Sequence, residues 1–264
     1  MTKPWFDPTE ILIDGRWRPT AATLPVEDPS TGEIFAEIGR GTAADVDEAV
    51  AAAEAARLGA WGRLTATERG RILTRIGQIV LERADDLAAL EAADVGKPLT
   101  QARNDAIALA RYLEFYGGAA DKVHGQTIPY LDGYTVYSLR EPHGVTGHIV
   151  PWNYPIFLAL GPLVAALAAG NRAMIKMSEF TPKLNKVFKA MIAEIFEENQ
   201  VCIIEGEADA AVAFTEQPFD HILFTGSTTV GRFVMAAAAK NLTPVTLELG
   251  GKSPAIVSSH IPMK

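Results

Sequence analysis

An α/β fold built on a Rossmann-like parallel sheet is what this sequence predicts, and three observations carry that reading. From about residue 145 onward, short apolar runs alternate strictly with helical stretches, which puts crossover helices on the faces of a parallel sheet. A glycine turn, Thr225-Gly226-Ser227, joins one such strand to one such helix. Ahead of this region lie a helical segment and a few short extended runs.

The elements follow in chain order. Residues up to about Gly41 are rich in proline and turn signals, and Pro29-Ser-Thr-Gly32 separates two strand-like runs, one ending at Trp17 and one over 33–38. A helix opens at Thr42 with Asp45 three residues on, a capping-box pattern with Asp in place of Glu, and runs to Arg57. A second covers about 67–94 with an apolar stripe through Leu73, Ile76 and Val80, and a third covers about 99–120. Two extended runs, 134–140 and 145–150, flank Glu141-Pro-His-Gly144. Then come a helix over 156–169, a strand over 173–177, and a helix over 182–198 with Thr181 as N-cap and Pro182 first. Strands over 201–204, 221–225, 245–249 and 255–257 follow, with helices over 209–216 and 228–240 between them.

Bulk numbers narrow the function classes. The chain has 264 residues, long enough for a sizeable core, and its 48% hydrophobic and 21% charged content is that of an ordinary globular protein. Net charge is −8 with both signs interspersed, so no nucleic-acid surface is expected. The longest apolar stretch, 156–170, is too short to cross a bilayer, and the N-terminus lacks a signal-peptide pattern. One cysteine, Cys202, excludes an internal disulfide, so a cytoplasmic location without membrane partners is expected. The five histidines have no metal-ligand spacing, and no metal is implied.

In an open parallel sheet, ligands bind beyond the carboxyl ends of the strands. Asn153, Lys176, Glu179, Ser227 and Glu248 all fall at or just past such ends. Gly226 would allow a tight turn that aims N–H groups and the Ser227 hydroxyl at a phosphate, and Gly231 would let the next helix pack closely. A plain strand–helix connection is the competing reading of that turn. Lys176 and Glu179 could hold the two hydroxyls of an adenosine ribose, or could be a solvated surface pair. Glu248 lies between two leucines on a strand expected to be buried, where a carboxylate is costly unless paired or employed as a base. Cys202 sits inside the apolar run Val201-Cys-Ile-Ile204 and reads as a core residue. Two decoys fail on context. Gly39-Arg-Gly41-Thr-Ala-Ala44 matches a dinucleotide fingerprint but precedes an all-helical stretch, and Gly251-Lys252-Ser253 lacks the first P-loop glycine because Thr246 stands there.

Three motifs, Pro151-Trp-Asn-Tyr-Pro155, Phe224-Thr-Gly-Ser-Thr-Thr-Val-Gly231 and Leu247-Glu-Leu-Gly-Gly-Lys252, resemble those of the aldehyde dehydrogenase superfamily. The resemblance covers essentially the whole chain, and from Asn171 onward it is nearest the branch acting on coniferyl and fatty aldehydes. It implies NAD-dependent oxidation of an aldehyde to a carboxylic acid by a homo-oligomer, with NADP the second choice because Glu179 should repel a 2′-phosphate. It further implies catalytic roles for Asn153, as oxyanion donor, and Glu248, as base. Trp152, Lys176, Ser178, Glu179, Gly226, Ser227 and Leu249 are the cofactor-binding residues it implies. Met177 stands where the family usually has Pro, which leaves the Lys–Glu pair intact.

In domain terms the resemblance divides the chain into residues 1–132, the N-terminal strands and helices of a cofactor-binding domain, 133–150, oligomerisation strands, and 151–264, the Rossmann-like core. The family's nucleophilic cysteine lies a few dozen residues past the glutamate, so the chain as given is expected to be truncated before the nucleophile and to lack the catalytic domain. A catalytically inactive nucleotide-binding or structural protein of the same fold is the alternative.

Overall fold

The computed structural model describes residues 7, 9–56, 59–196 and 201–258. The chain opens with two antiparallel hairpins, β1 (Glu10–Ile13) with β2 (Arg16–Pro19) and β3 (Thr23–Glu27) with β4 (Ile34–Gly39). Asp14 and Gly15 both take positive φ, 53° and 69°, which makes the two-residue turn whose twist suits a hairpin. Leu24 and Val26 are buried, and β3 is a strand that the sequence pattern did not announce.

Helices follow as α1 (Ala43–Ala56), α2 (Ala60–Arg63), α3 (Ala66–Glu82), α4 (Ala84–Val95) and α5 (Leu99–Ala119). The α1 start is the expected box, with the Asp45 carboxylate accepting from the Thr42 N–H at 2.8 Å. The single helix expected over 67–94 is two, broken at Arg83, where Asp85 and Asp86 suit a fresh N-terminus. Helices α3 and α5 lie unusually close, since a Cβ on Gly70 would meet the Gly117 carbonyl oxygen at 2.3 Å. From the run expected over 134–140, only β6 (Val136–Tyr137) forms, paired with β5 (Thr127–Ile128).

The remaining elements are β7 (Val145–Ile149), α6 (Pro155–Ala168), β8 (Arg172–Lys176), α7 (Pro182–Ile195), β9 (Val201–Ile204), α8 (Ala208–Thr215), β10 (His221–Gly226), α9 (Thr228–Ala239) and β11 (Val245–Leu249). Five strands form one sheet in the order β11-β10-β7-β8-β9, every pair parallel. Counted from β7 as first, that is the doubly wound 3-2-1-4-5 order. Thus 145–149, read from the sequence with the oligomerisation strands, is the central strand of the sheet. The run 255–257 is no strand, and Ile256 is 93% exposed.

The two faces are covered by different helices. Apolar residues of α3, α5, α6 and α7 pack with Ala173, Ile175 and Ile203 on one face. Val46 and Ala49 of α1, Phe214 of α8 and Val234 of α9 pack with Met174, Ile204, Ile222 and Phe224 on the other. Helices α6 and α7 therefore lie on one side and α8 and α9 on the opposite side, so the chain reverses direction of growth at β7. The crevice this reversal makes lies at the carboxyl ends of β7 and β10.

Candidate functional site

Four loops leave the carboxyl edge of the sheet, and the residues singled out from the sequence sit on them or on the strand ends. After β7, Trp152 is 51% exposed and Asn153 is exposed beside it. Their loop is held by Tyr154, whose ring stacks on Phe157 at 5.3 Å and takes the Lys97 ammonium over its face at 4.6 Å. The Lys97 ammonium sits between Glu91 at 2.9 Å and Asp105 at 2.6 Å. Burial pushes the Tyr154 phenol up to about 12, helped by the nearby Asp105 carboxylate.

After β8, Lys176 is 3% exposed, donates to the Met177 carbonyl at 2.6 Å and lies 3.6 Å from the half-buried Glu179. Burial lowers its pKa, while Glu179, then Glu205 and Asp209, oppose the shift. Ser178 is buried, with its hydroxyl accepting from the Phe180 N–H at 3.3 Å. Thr181 takes the N-cap position of α7 as expected but accepts no backbone N–H there; its hydroxyl lies 3.2 Å from Ser178 O and 3.0 Å from Asn185 Oδ1, which share its single proton.

At the end of β10, Ser227 caps α9 by accepting the Val230 N–H at 3.2 Å, leaving the hydroxyl proton to donate elsewhere. Gly226 is not in the left-handed region. It is glycine because a Cβ there would strike the Phe224 ring at 2.6 Å, a crowding rather than a tight turn. Gly231 packs as expected, its missing Cβ making room for Leu249 at 2.9 Å. On β11, Glu248 lies level with Thr225 and Leu249 with Gly226. Glu248 corrects the sequence reading: it is exposed, as is Leu249 at 40%. Strand β11 is the sheet edge, and its alternation turns Thr246 and Glu248 outward while Val245 and Leu247 pack inward.

The structure therefore brings Trp152, Asn153, Gly226, Ser227, Glu248 and Leu249 to the strand ends around the switch point, and Lys176, Ser178 and Glu179 to the neighbouring loop. Cys202 points elsewhere, its Sγ 4.0 Å from the Leu12 carbonyl, and burial pushes its thiol up to about 12. The Gly39–Gly41 fingerprint is structural too: Gly41 donates its N–H to the Glu205 carbonyl at 3.2 Å. Sequence reasoning missed the buried carboxylates behind these loops, Glu91, Asp94 and Asp105, and the Lys97 that bridges Glu91 and Asp105. Their signal was there, since Leu87, Glu91 and Asp94 recur at steps of four and three, carrying carboxylates onto the stripe that Leu87 buries.

Comparison with known proteins bears on this arrangement. The Aldehyde dehydrogenase family matches residues 17–263. The chain belongs to that family. A Pseudomonas aeruginosa protein named "Probable coniferyl aldehyde dehydrogenase" is 65% identical over 124 residues, 47% of this chain and 26% of that protein. The mitochondrial aldehyde dehydrogenase family 2 member B4 of Arabidopsis thaliana is 41% identical over 259 residues, 94% of this chain and 48% of the relative. Among solved structures, PnpE of Pseudomonas sp. WBC-3, crystallised in complex with nicotinamide adenine dinucleotide, superposes with a TM-score of 0.88. It is 38% identical, covering 93% of this chain and 52% of PnpE. The aldehyde dehydrogenase chain thus spans about half the length of the full-span relatives it matches. Among its described residues no helix is long and apolar enough to cross a membrane.

Proposed function

We propose that this chain binds NAD along the carboxyl edge of its sheet, in the service of oxidising an aldehyde to a carboxylic acid. The observation that carries the reading is the buried Lys176 at the end of β8 paired with Glu179 of the loop that follows, with the Ser227-capped start of α9 across the switch point. A helix N-terminus offers N–H groups and a positive dipole end to a pyrophosphate. Lys176 donates and Glu179 accepts, which suits the two hydroxyls of a ribose. Glu205 and Asp209 add negative charge around Lys176, so a 2′-phosphate would meet a repulsive corner and NAD is favoured over NADP. Trp152 and Leu249 would flank the cofactor, with Ser178 shaping the loop beneath it.

The chemistry supplied by bound NAD is acceptance of a hydride. Asn153, exposed beyond β7, would donate its amide N–H to an oxyanion developing on the aldehyde carbon. Glu248, exposed at the end of β11, can reach water without paying for burial and would act as general base in hydrolysis. The Pseudomonas aeruginosa relative's name favours aromatic aldehydes of the coniferyl type. Tyr130, Leu131, Tyr134, Tyr137 and Leu139 are all more than half exposed, and this apolar exposure supports pairing of the arm with a second copy in a homo-oligomer.

Thermal denaturation with added nucleotide tests the cofactor reading. NAD at a hundred times its dissociation constant should stabilise the chain by about 2.7 kcal/mol. NADP should give less, and Lys176→Ala should weaken the NAD effect. A sample that is folded by circular dichroism but indifferent to NAD would sink the proposal.

A further inference from the structure

The two crossover helices α6 and α7 begin with a proline and lack a side-chain cap of their own, unlike α9, which Ser227 caps. For α7 the missing cap comes from another helix. Asp94, in the last turn of α4 and 5% exposed, accepts the Leu184 N–H at 2.9 Å across a sequence separation of 90 residues. Lys183 and Lys186 of α7 face the same carboxylate. Its second oxygen, Oδ1, is buried without a hydrogen-bond partner, so the carboxylate is committed to that helix end.

The first turn of α7 in turn holds the loop that carries Ser178 and Glu179, just past Lys176 at the end of β8. The Ser178 carbonyl accepts from Asn185 Nδ2 at 3.0 Å, from the Thr181 hydroxyl at 3.2 Å and from the Thr181 N–H at 3.3 Å. Thr181 thereby ties down the loop and leaves the helix uncapped. The chain of contacts runs from Asp94 to Leu184, through the turn to Thr181 and Asn185, and on to Ser178.

We infer that Asp94 is a positioning residue for the 177–181 loop: by capping α7 from α4 it fixes where Ser178 and Glu179 sit relative to Lys176 at the end of β8, and so how the pair presents itself to a nucleotide. The inference rests on the cofactor reading given above for its consequence, though its mechanical part can be read without any cofactor.

Hydrogen exchange on the intact 264-residue chain is the test. Asp94→Ala should speed exchange across 177–186 by about tenfold, and leave 151–160, whose loop is held by the Lys97 group, unchanged. Asp94→Asn keeps an acceptor for Leu184 and should restore the wild-type pattern. Leu87→Ala, a fully buried loss in the same helix, should lower the melting temperature without singling out 177–186. NAD binding, measured calorimetrically well below the melting temperature, should weaken about fivefold in Asp94→Ala and recover in Asp94→Asn. If Asp94→Ala does not fold, Asp94→Ser, which draws the acceptor back from Leu184, takes its place. Equal acceleration of both loops, or the same profile in Leu87→Ala, would overturn the inference. A localised exchange change in a chain that does not bind NAD would sink the cofactor reading and leave the positioning role standing.

Discussion

Burial sets two titrating side chains against each other. His148 lies in the central strand at 3% exposure, and burial, with His221 nearby, brings its pKa down to about 4 from about 6.5. The unfolded chain then binds the extra proton between those values, so His148 costs stability progressively as pH falls through that window. Burial raises Asp94 from 3.8 to about 7, so here the folded chain holds the extra proton, and stability is lost as pH rises toward 7. Each slope is up to about 1.4 kcal/mol per pH unit, and between pH 4 and 6.5 the two nearly cancel. Asp94→Asn should therefore unmask the His148 slope, giving a chain that weakens with acid more steeply than the wild type. His148→Gln should do the reverse. Urea unfolding at pH 5, 6 and 7.5 checks this, and parallel pH curves for all three proteins would show that neither group titrates as burial dictates.

At the scale of elements, the sequence was most legible where a local rule had no tertiary rival. The Thr42–Asp45 box, the apolar stripe of α3 and the strand–helix alternation from β7 onward all formed. Glu248 was misread because Leu-Glu-Leu looks the same on a central strand as on an edge, and only sheet order reveals which side is open. Asp94 was missed because a carboxylate on a buried stripe has no local cause; its partner Leu184 belongs to a distant helix. Glycines show the same split. Gly41 reads as a turn residue, yet its real constraint is the Glu205 carbonyl, 2.3 Å from where a Cβ would sit. Gly41→Ala should push α1 off the end of β9 and cost about 2 kcal/mol or more. Gly118, in α5, has nothing within 4 Å of a built Cβ, so Gly118→Ala should gain up to about 1 kcal/mol from helix propensity. Melting temperatures that move the same way for both would refute this distinction.

Across the whole molecule, binding and bond-making separate. The edge of the sheet gathers the residues proposed above to hold a nucleotide and an oxyanion, whereas the one thiol lies on the far side of β9, packed toward β1. Hydride can leave an aldehyde carbon only once a nucleophile has added to it, and under the proposed function that nucleophile would sit near both Asn153 and the nicotinamide. A thiol pushed up to about 12 has almost no thiolate at neutral pH, and the Cys202 Sγ lies against the Leu12 carbonyl of β1, two strands from β7. The Ser227 hydroxyl is engaged as the α9 cap, with no base among its hydrogen-bond partners to activate it. If the proposed function holds, these 264 residues should bind NAD yet produce NADH from benzaldehyde, hexanal or coniferaldehyde only at background, since an aldehyde-oxidising site working without an activated nucleophile runs slower by several orders of magnitude. An NADH absorbance assay beside Cys202→Ser decides the matter. Turnover that the substitution abolishes would make Cys202 the nucleophile and require strand β9 to open. Turnover that survives it would place the chemistry on a group other than a thiol.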